Sequence, residues 1–133
     1  MQKVIQLKNI IDALEMTNEH ATAYLDTKTG EILWYYDGDN YEFTSPELKE
    51  DNRSRFLQLF DCYEINEYHM MEVFAYDHDD RLVRAIQGRG AFRYFRDTVE
   101  ELGLTDEWYE FRSECYRSRA IRWCQGNNIK FLE

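Results

Sequence analysis

The chain has 133 residues, a formal net charge of −10, and 44% apolar and 16% aromatic residues, a composition typical of one globular domain with a single hydrophobic core. One proline and six glycines argue against long low-complexity linkers. No apolar run reaches the roughly 18 residues that a membrane span needs. We therefore predict a single domain over residues 1–133 with no membrane association.

The first predicted elements are a helix and a hairpin. Apolar residues recur at helical spacing from Leu7 to Leu14, which predicts an amphipathic helix over 3–16. Two β-rich runs within 21–36 are joined by a connection that contains Gly30. Because a tight turn needs a residue that accepts positive φ, this pattern predicts an antiparallel hairpin.

The middle of the chain and its tail carry weaker signals. Residues 37–54 are acidic and polar, which predicts a loop. Residues 56–60 are a candidate third strand beside the hairpin, and 129–132 are a candidate edge strand.

From residue 64 onward the pattern is helical. Asp79 or Asp80, and Thr105 further on, stand where side-chain oxygens accept the unpaired N–H groups of a helix start. The predicted helices cover 65–76, 79–87, 90–102 and 105–125. The predicted fold class is therefore α+β: an N-terminal helix, a small antiparallel sheet (the hairpin at about 21–36 with 56–60 as a candidate third strand) and a C-terminal layer of about four helices.

Charge is distributed unevenly along the chain. Residues 1–80 hold 6 Lys or Arg against 18 Asp or Glu, whereas 81–133 hold 10 against 8. This asymmetry indicates either pairing of charges within the molecule or two functional faces. The total charge disfavours general affinity for nucleic acid, because a phosphate backbone is repelled except at a local basic patch.

Five arginines fall within sixteen residues and alternate with aromatic rings: Arg81, Arg84, Arg89, Arg93 and Arg96. On a helix beginning at Ala91, Phe92 and Phe95 share a core-facing side. Arg93 and Arg96 stand four residues before Asp97 and Glu100, a spacing that favours ion pairs.

Arg89 lies between Gly88 and Gly90 and has two interpretations. Glycines before a helix let backbone N–H groups converge on an anion, which an adjacent arginine completes. Alternatively, the glycines serve a tight turn through their backbone angles alone.

The last predicted helix mixes Trp108 and other rings with Arg112, Arg119 and Arg122. Buried arginines need partners, because an unpaired buried charge is very costly. We expect carboxylates of the acidic half to supply them, with ring stacking or an anionic ligand as alternatives.

Catalytic and metal signals are weak. The acidic run 77–80 is better interpreted as a turn and helix cap than as a metal site. The histidines and cysteines lack ligand spacing. Cys62, Cys115 and Cys124 fit reduced structural thiols. We therefore predict no metal, no cofactor and no catalytic residue, and lean against an enzyme.

Several segments resemble one of the bacterial uncharacterised protein families of unknown function. The most specific are Gly-Arg-Gly-Ala-Phe-Arg-x-Phe-Arg-Asp over 88–97 and Asp-Glu-Trp-Tyr-x-Phe-Arg over 106–112. Residues 120–124, the hairpin at 23–32 and residues 67–74 are also similar to that family. The resemblance implies a bacterial cytoplasmic protein with a mixed α and β fold, and implies no activity. The N-terminal residues, which lack the apolar core of a secretory signal, agree with a cytoplasmic location.

Two functional hypotheses remain from the sequence. The first is a non-enzymatic interaction or regulatory module with a protein partner. The alternative is an anion- or nucleic-acid-binding domain that uses the arginine cluster from Arg81 to Arg96. Arg, Tyr and Trp are enriched at binding hot spots, so the candidate binding residues are Arg89, Arg93, Tyr94, Arg96, Trp108 and Arg112.

Overall fold

The computed structural model describes residues 3–36 and 55–133, which form a mixed α and β structure. The chain divides into two compact units. We call Met1–Ile65 together with Tyr116–Glu133 the sheet unit, and Asn66–Cys115 the helical unit. The predicted α+β class is confirmed. The loop predicted over 37–54 lies outside the described residues, and a single domain over 1–133 stays a prediction.

The sheet unit contains a three-stranded antiparallel sheet and a separate two-stranded parallel sheet. Its elements are β1 (Ile5–Gln6), α1 (Leu7–Met16), β2 (Ala21–Asp26), β3 (Ile32–Tyr36), β4 (Phe56–Gln58), α2 (Cys62–Ile65) and β5 (Phe131–Leu132). Strand β2 lies between β3 and β4, and β1 pairs with β5.

The N-terminal helix is shorter than predicted. Helix α1 begins at Leu7 and not at residue 3, because Ile5 and Gln6 pair in register with Phe131 and Leu132. The amide of Ile5 donates to the carbonyl oxygen of Lys130 at 2.9 Å. The chain therefore satisfies these backbone groups in a strand before the amphipathic pattern starts.

The predicted hairpin is confirmed. Leu25 pairs with Ile32 at the end of β2 and β3. Gly30 has φ of +81° and donates its amide to the carbonyl of Asp26 at 2.7 Å. The candidate third strand is also confirmed as β4, which ends at Gln58.

The helical unit contains α3 (Glu67–His78), α4 (Asp80–Ala85), α5 (Ala91–Glu101) and the first half of α6 (Thr105–Gly126). The cap predicted at Asp79 is present, since its carboxylate accepts the Arg81 amide at 2.8 Å. Helix α3 begins two residues later than predicted because Asn66 takes a left-handed φ of 54° and caps the helix through the His69 amide.

Four aromatic rings form the core of the helical unit. Phe74 of α3 lies 6.2 Å from Phe95, 5.3 Å from Trp108 and 5.6 Å from Phe111, measured between ring centroids. Phe95 and Trp108 meet edge to face at 4.7 Å. These arrangements are the ones that aromatic quadrupoles favour, and together they fix α3, α5 and α6 against one another.

An ion pair joins the buried Asp26, at the end of β2, to the partly exposed Arg55, which directly precedes β4. Arg55 donates from Nε and from a terminal nitrogen to the two carboxylate oxygens of Asp26, both at 2.9 Å. The Lys28 amide donates to the same carboxylate at 3.0 Å. These bonds, with those from Arg55 the largest cause, lower the pKa of Asp26 to about 2.

Replacing Asp26 with asparagine tests how much this ion pair contributes to stability. Because the pKa of folded Asp26 is lowered from 3.8 to about 2, the carboxylate stabilises the fold above pH ~4, and that contribution disappears as the pH falls towards ~2. We expect Asp26→Asn to lower the free energy of unfolding at neutral pH by about 2 kcal/mol and to flatten its acid limb. Urea titrations between neutral and acidic pH measure both effects.

Asp12→Asn is the matched control, because Asp12 is exposed on α1 and forms no ion pair with a described residue. Equal stability loss in the two variants would contradict the role given to Asp26.

Candidate functional site

The turn before α5 places Arg89 in solvent. Gly88 and Gly90 have φ of +86° and +74°, so both occupy the left-handed region that favours glycine. Gly90 is also the N-terminal cap residue of α5. Of the two interpretations of this segment, the tight turn accounts for both glycines through backbone angles alone.

Helix α5 presents more of its first turn to solvent than its pattern predicts. Phe95 and Val99 are buried, whereas Phe92 and Tyr94 are each 56% exposed. The prediction that Phe92 faces the core is wrong. The buried face of this helix starts at Phe95, and Phe92 lies one turn before it at the edge of a pocket.

The exposed arginines of this region lack ion-pair and hydrogen-bond partners among the described residues. The guanidinium groups of Arg84, Arg89, Arg93 and Arg96 form no ion pair or hydrogen bond with any residue in 3–36 or 55–133. The expected pairs of Arg93 with Asp97 and of Arg96 with Glu100 are therefore absent. Exposed pairs of this kind contribute only about 0–1 kcal/mol, which does not outweigh the side-chain entropy lost in forming them.

Two arginines of the helical unit do have carboxylate partners. Arg112 Nε donates to Glu67 Oε1 at 2.8 Å, and both side chains are more than two-thirds buried. Arg81 reaches Glu101 at 2.7 Å on the surface.

The remaining arginines of α6 belong to the sheet unit. Arg119 donates to the backbone carbonyl of Ile65 at 2.7 Å, so a peptide oxygen and not a carboxylate satisfies it. Arg122 is exposed and unpaired within the described part of the chain.

Trp108 is only 6% exposed because it belongs to the ring core. Its accessible edge lines a pocket of about 320 Å³, which we call the ring pocket. The walls come from three helices: Glu67 and Met71 of α3, Phe92, Phe95 and Arg96 of α5, and Trp108, Tyr109 and Arg112 of α6. Three candidate residues from the sequence, Arg96, Trp108 and Arg112, thus meet in one place.

A second pocket of the helical unit, which we call the donor pocket, has a volume of about 420 Å³. It is lined by Arg81, Arg84, Ala85, Gln87, Tyr94 and Thr98. Tyr94 is the candidate residue that lies here, and Arg89 and Arg93 line neither pocket.

Sequence reasoning missed Glu67 and Tyr109 in the ring pocket, and Gln87 and Thr98 in the donor pocket. Glu67 and Arg112 are 45 residues apart, and no local spacing rule connects them. Tyr109 had a usable signal, since it directly follows Trp108 and adjacent residues of a helix point about 100° apart.

Two cysteines outside these pockets lie in surroundings that keep their thiols neutral. Burial raises the pKa of the Cys124 thiol to about 11, and desolvation also raises the pKa of Cys62, which disfavours the reactive thiolate at both positions.

Within 3–36 and 55–133, no three His, Cys, Asp or Glu side chains converge in an arrangement for a metal ion. Among the same residues, no helix is long and apolar enough to cross a membrane.

The fold and the two pockets define an α+β protein with exposed arginines and aromatic rings on its helical unit. The family model described as Uncharacterised protein family (UPF0158) matches residues 2–133, and the chain belongs to that family. This confirms the resemblance to an uncharacterised family. No curated protein and no solved structure matches the chain.

Alanine substitutions at the two turn glycines separate backbone strain from contact with Tyr94. A Cβ at Gly88 meets nothing within 4 Å, whereas a Cβ at Gly90 lies 3.0 Å from Tyr94 Cε2. We expect Gly88→Ala to cost about 1–2 kcal/mol through its left-handed backbone. Gly90→Ala is expected to cost more and to displace the Tyr94 ring. Urea unfolding and the Tyr94 ring resonances in NMR measure the two effects.

Gly88→Ala is the built-in control for Gly90→Ala. Unchanged Tyr94 resonances in Gly90→Ala, or equal stability losses in both variants, would contradict this geometry.

Proposed function

We propose that this chain is a non-enzymatic interaction or regulatory module whose helical unit binds an acidic segment of a partner protein. The binding region is the arginine surface, which we define as Arg84, Arg89, Tyr94, Arg93 and Arg96. One observation carries the proposal: these four guanidinium groups have no partner among the described residues.

The charge balance strengthens this argument. The chain has 26 acidic residues against 16 basic ones, so carboxylates are abundant. Four arginines on consecutive elements are nevertheless exposed and have no ion-pair partner within 3–36 and 55–133. Such a cationic surface attracts a negatively charged partner, which raises the association rate and disfavours basic partners.

Exposed rings supply the second component of a binding surface. Phe92, Tyr94 and Tyr109 are each more than half exposed. Aromatic residues and arginine are enriched at the centres of protein interfaces, where they provide most of the binding energy. Rings and arginines on the same helical unit therefore support a protein partner. We further propose a bacterial cytoplasmic setting, which the three cysteines, none of them in a disulfide, support.

Charge-removing variants on the arginine surface test this function. Tagged wild-type protein, Arg93→Gln, Arg96→Gln and the double variant are used to capture partners at low salt, and captured proteins are titrated in purified form. Two lost contacts at about 0.7 kcal/mol each lower affinity about tenfold in the double variant. High salt is expected to weaken wild-type binding in the same way.

Arg122→Gln is the matched control, because Arg122 is also an exposed, unpaired helical arginine but belongs to the sheet unit. The proposal fails if captured partners bind the double variant as tightly as they bind wild type and Arg122→Gln.

The alternative function, an anion- or nucleic-acid-binding domain, is favoured by one observation. The donor pocket collects two arginines with the polar side chains of Gln87, Tyr94 and Thr98, all of which can donate hydrogen bonds to phosphate oxygens. Against it stand the net charge of −10 and the engagement of Arg81 by Glu101. We therefore place it second.

Titrations with labelled single-stranded RNA, single-stranded DNA and inorganic phosphate test the alternative. If Arg81 and Arg84 contact two phosphates, the logarithm of the RNA association constant falls against the logarithm of salt with a slope of roughly −1.4. Arg84→Gln is then expected to halve that slope, and Arg122→Gln to leave it unchanged. Flat titrations at low salt would remove this alternative.

A further inference from the structure

The ring pocket is preformed and has an apolar floor. Met71, Phe95 and Trp108 are each at most 6% exposed, and Phe95 meets Trp108 edge to face at 4.7 Å. Because these side chains are held by the core of the helical unit, a ligand does not have to open the pocket. Preformed apolar pockets bind without the cost of ordering their walls.

The rim of the ring pocket carries two exposed rings. Phe92 and Tyr109 are 56% and 53% exposed and come from different helices, α5 and α6. Their apolar faces extend the floor towards solvent. A ligand ring that enters the pocket would therefore cover apolar surface on the floor and on the rim together.

The polar groups of the ring pocket select for negative charge. Glu67 is already paired with Arg112 at 2.8 Å, so its carboxylate is largely neutralised. Arg96 has no partner within the described residues and lines the same pocket. A carboxylate next to a bound ring would supply the ion pair that Arg96 lacks.

The size of the ring pocket limits what it can hold. Its volume of about 320 Å³ lies at the low end of ligand pockets, which span about 300–1,000 Å³. This space suits one ring-bearing side chain better than a dinucleotide or a large cofactor.

We infer that the ring pocket receives an aromatic side chain from the acidic segment of the partner protein, with a neighbouring carboxylate of that segment on Arg96. This inference rests on the proposed function and adds a specificity rule to it: acidic segments with an aromatic residue bind, and equally acidic segments without one bind weakly. The occupant is a peptide segment because Arg93, which has no partner among the described residues, stands three residues before Arg96 on α5 and extends the complementary surface beyond one side chain.

Short fluorescein-labelled peptides test the rule by fluorescence anisotropy. One peptide has a central phenylalanine between acidic residues, the second has alanine in its place, and the third keeps phenylalanine between asparagine and glutamine. We expect the first peptide to bind about tenfold or more tightly than the second, because a buried ring contributes that much. In NMR, only the phenylalanine peptides are expected to shift the indole N–H resonance of Trp108.

Protein variants locate the binding ring. Phe92→Ala removes a rim ring that is mostly exposed, so the fold is expected to survive, and the preference for phenylalanine is expected to fall severalfold. Tyr76→Ala is the matched control, because Tyr76 is 72% exposed on α3 of the same unit and lines neither pocket. Arg96→Gln is expected to weaken both acidic peptides and to retain the preference for phenylalanine.

The outcomes separate this inference from the proposed function. Equal binding of the two acidic peptides overturns the ring pocket as an anchor site and leaves the acidic-partner function standing. Equal binding of the two phenylalanine peptides overturns the acidic-partner function and the contact with Arg96. If no peptide binds, the anchor inference is overturned, and the capture experiment alone decides the function. Binding of free N-acetylphenylalanine as tight as that of the first peptide would overturn the peptide segment as occupant.

Discussion

The packing of Phe74 against neighbouring rings is the constraint on which the helical unit depends. Its ring meets Trp108, Phe111 and Phe95 at 5.3–6.2 Å and stacks on His78 at 3.8 Å. Helices α3, α5 and α6 are thereby fixed through one buried residue. Since two of these rings, Phe95 and Trp108, also belong to the floor of the ring pocket, the same contacts that stabilise the unit hold the candidate site in shape.

The arginines that the fold covers have partners. Arg112 is mostly buried and has Glu67, and Arg55, which is partly covered, has Asp26. An unpaired charge in either place would be costly. Arg93 and Arg96 lie in solvent, where hydration already stabilises the charge, and nothing forces a pair to form. The exposed arginines without a partner among the described residues are therefore those whose pairing would contribute least to the fold.

The sequence predicted the elements whose signals are local. The hairpin around Gly30 and the helix cap at Asp79 were found because turn and cap chemistry acts over a few residues. The parallel pairing of Ile5 with Phe131 was missed because it joins two-residue strands from opposite ends of the chain. Phe92 was misplaced because a helical wheel gives a direction and not the extent of the neighbouring helices. The residue types of a binding surface could be predicted from the sequence. Which of those residues line a pocket depends on tertiary packing, which no local pattern reveals.

Helix α5 has one face that packs in the core and exposed residues that take no part in that packing. Phe95 and Val99 bury one face, whereas Phe92, Arg93 and Arg96 remain outside it. In an interface built on such a helix, ring burial provides most of the affinity, because an exposed ion pair contributes about 0–1 kcal/mol. The arginines then act mainly on the association rate and on the choice of partner. Under the proposed function, charge selects a partner first and a bound aromatic side chain retains it, and both steps depend on residues whose replacement leaves the buried face of α5 unchanged.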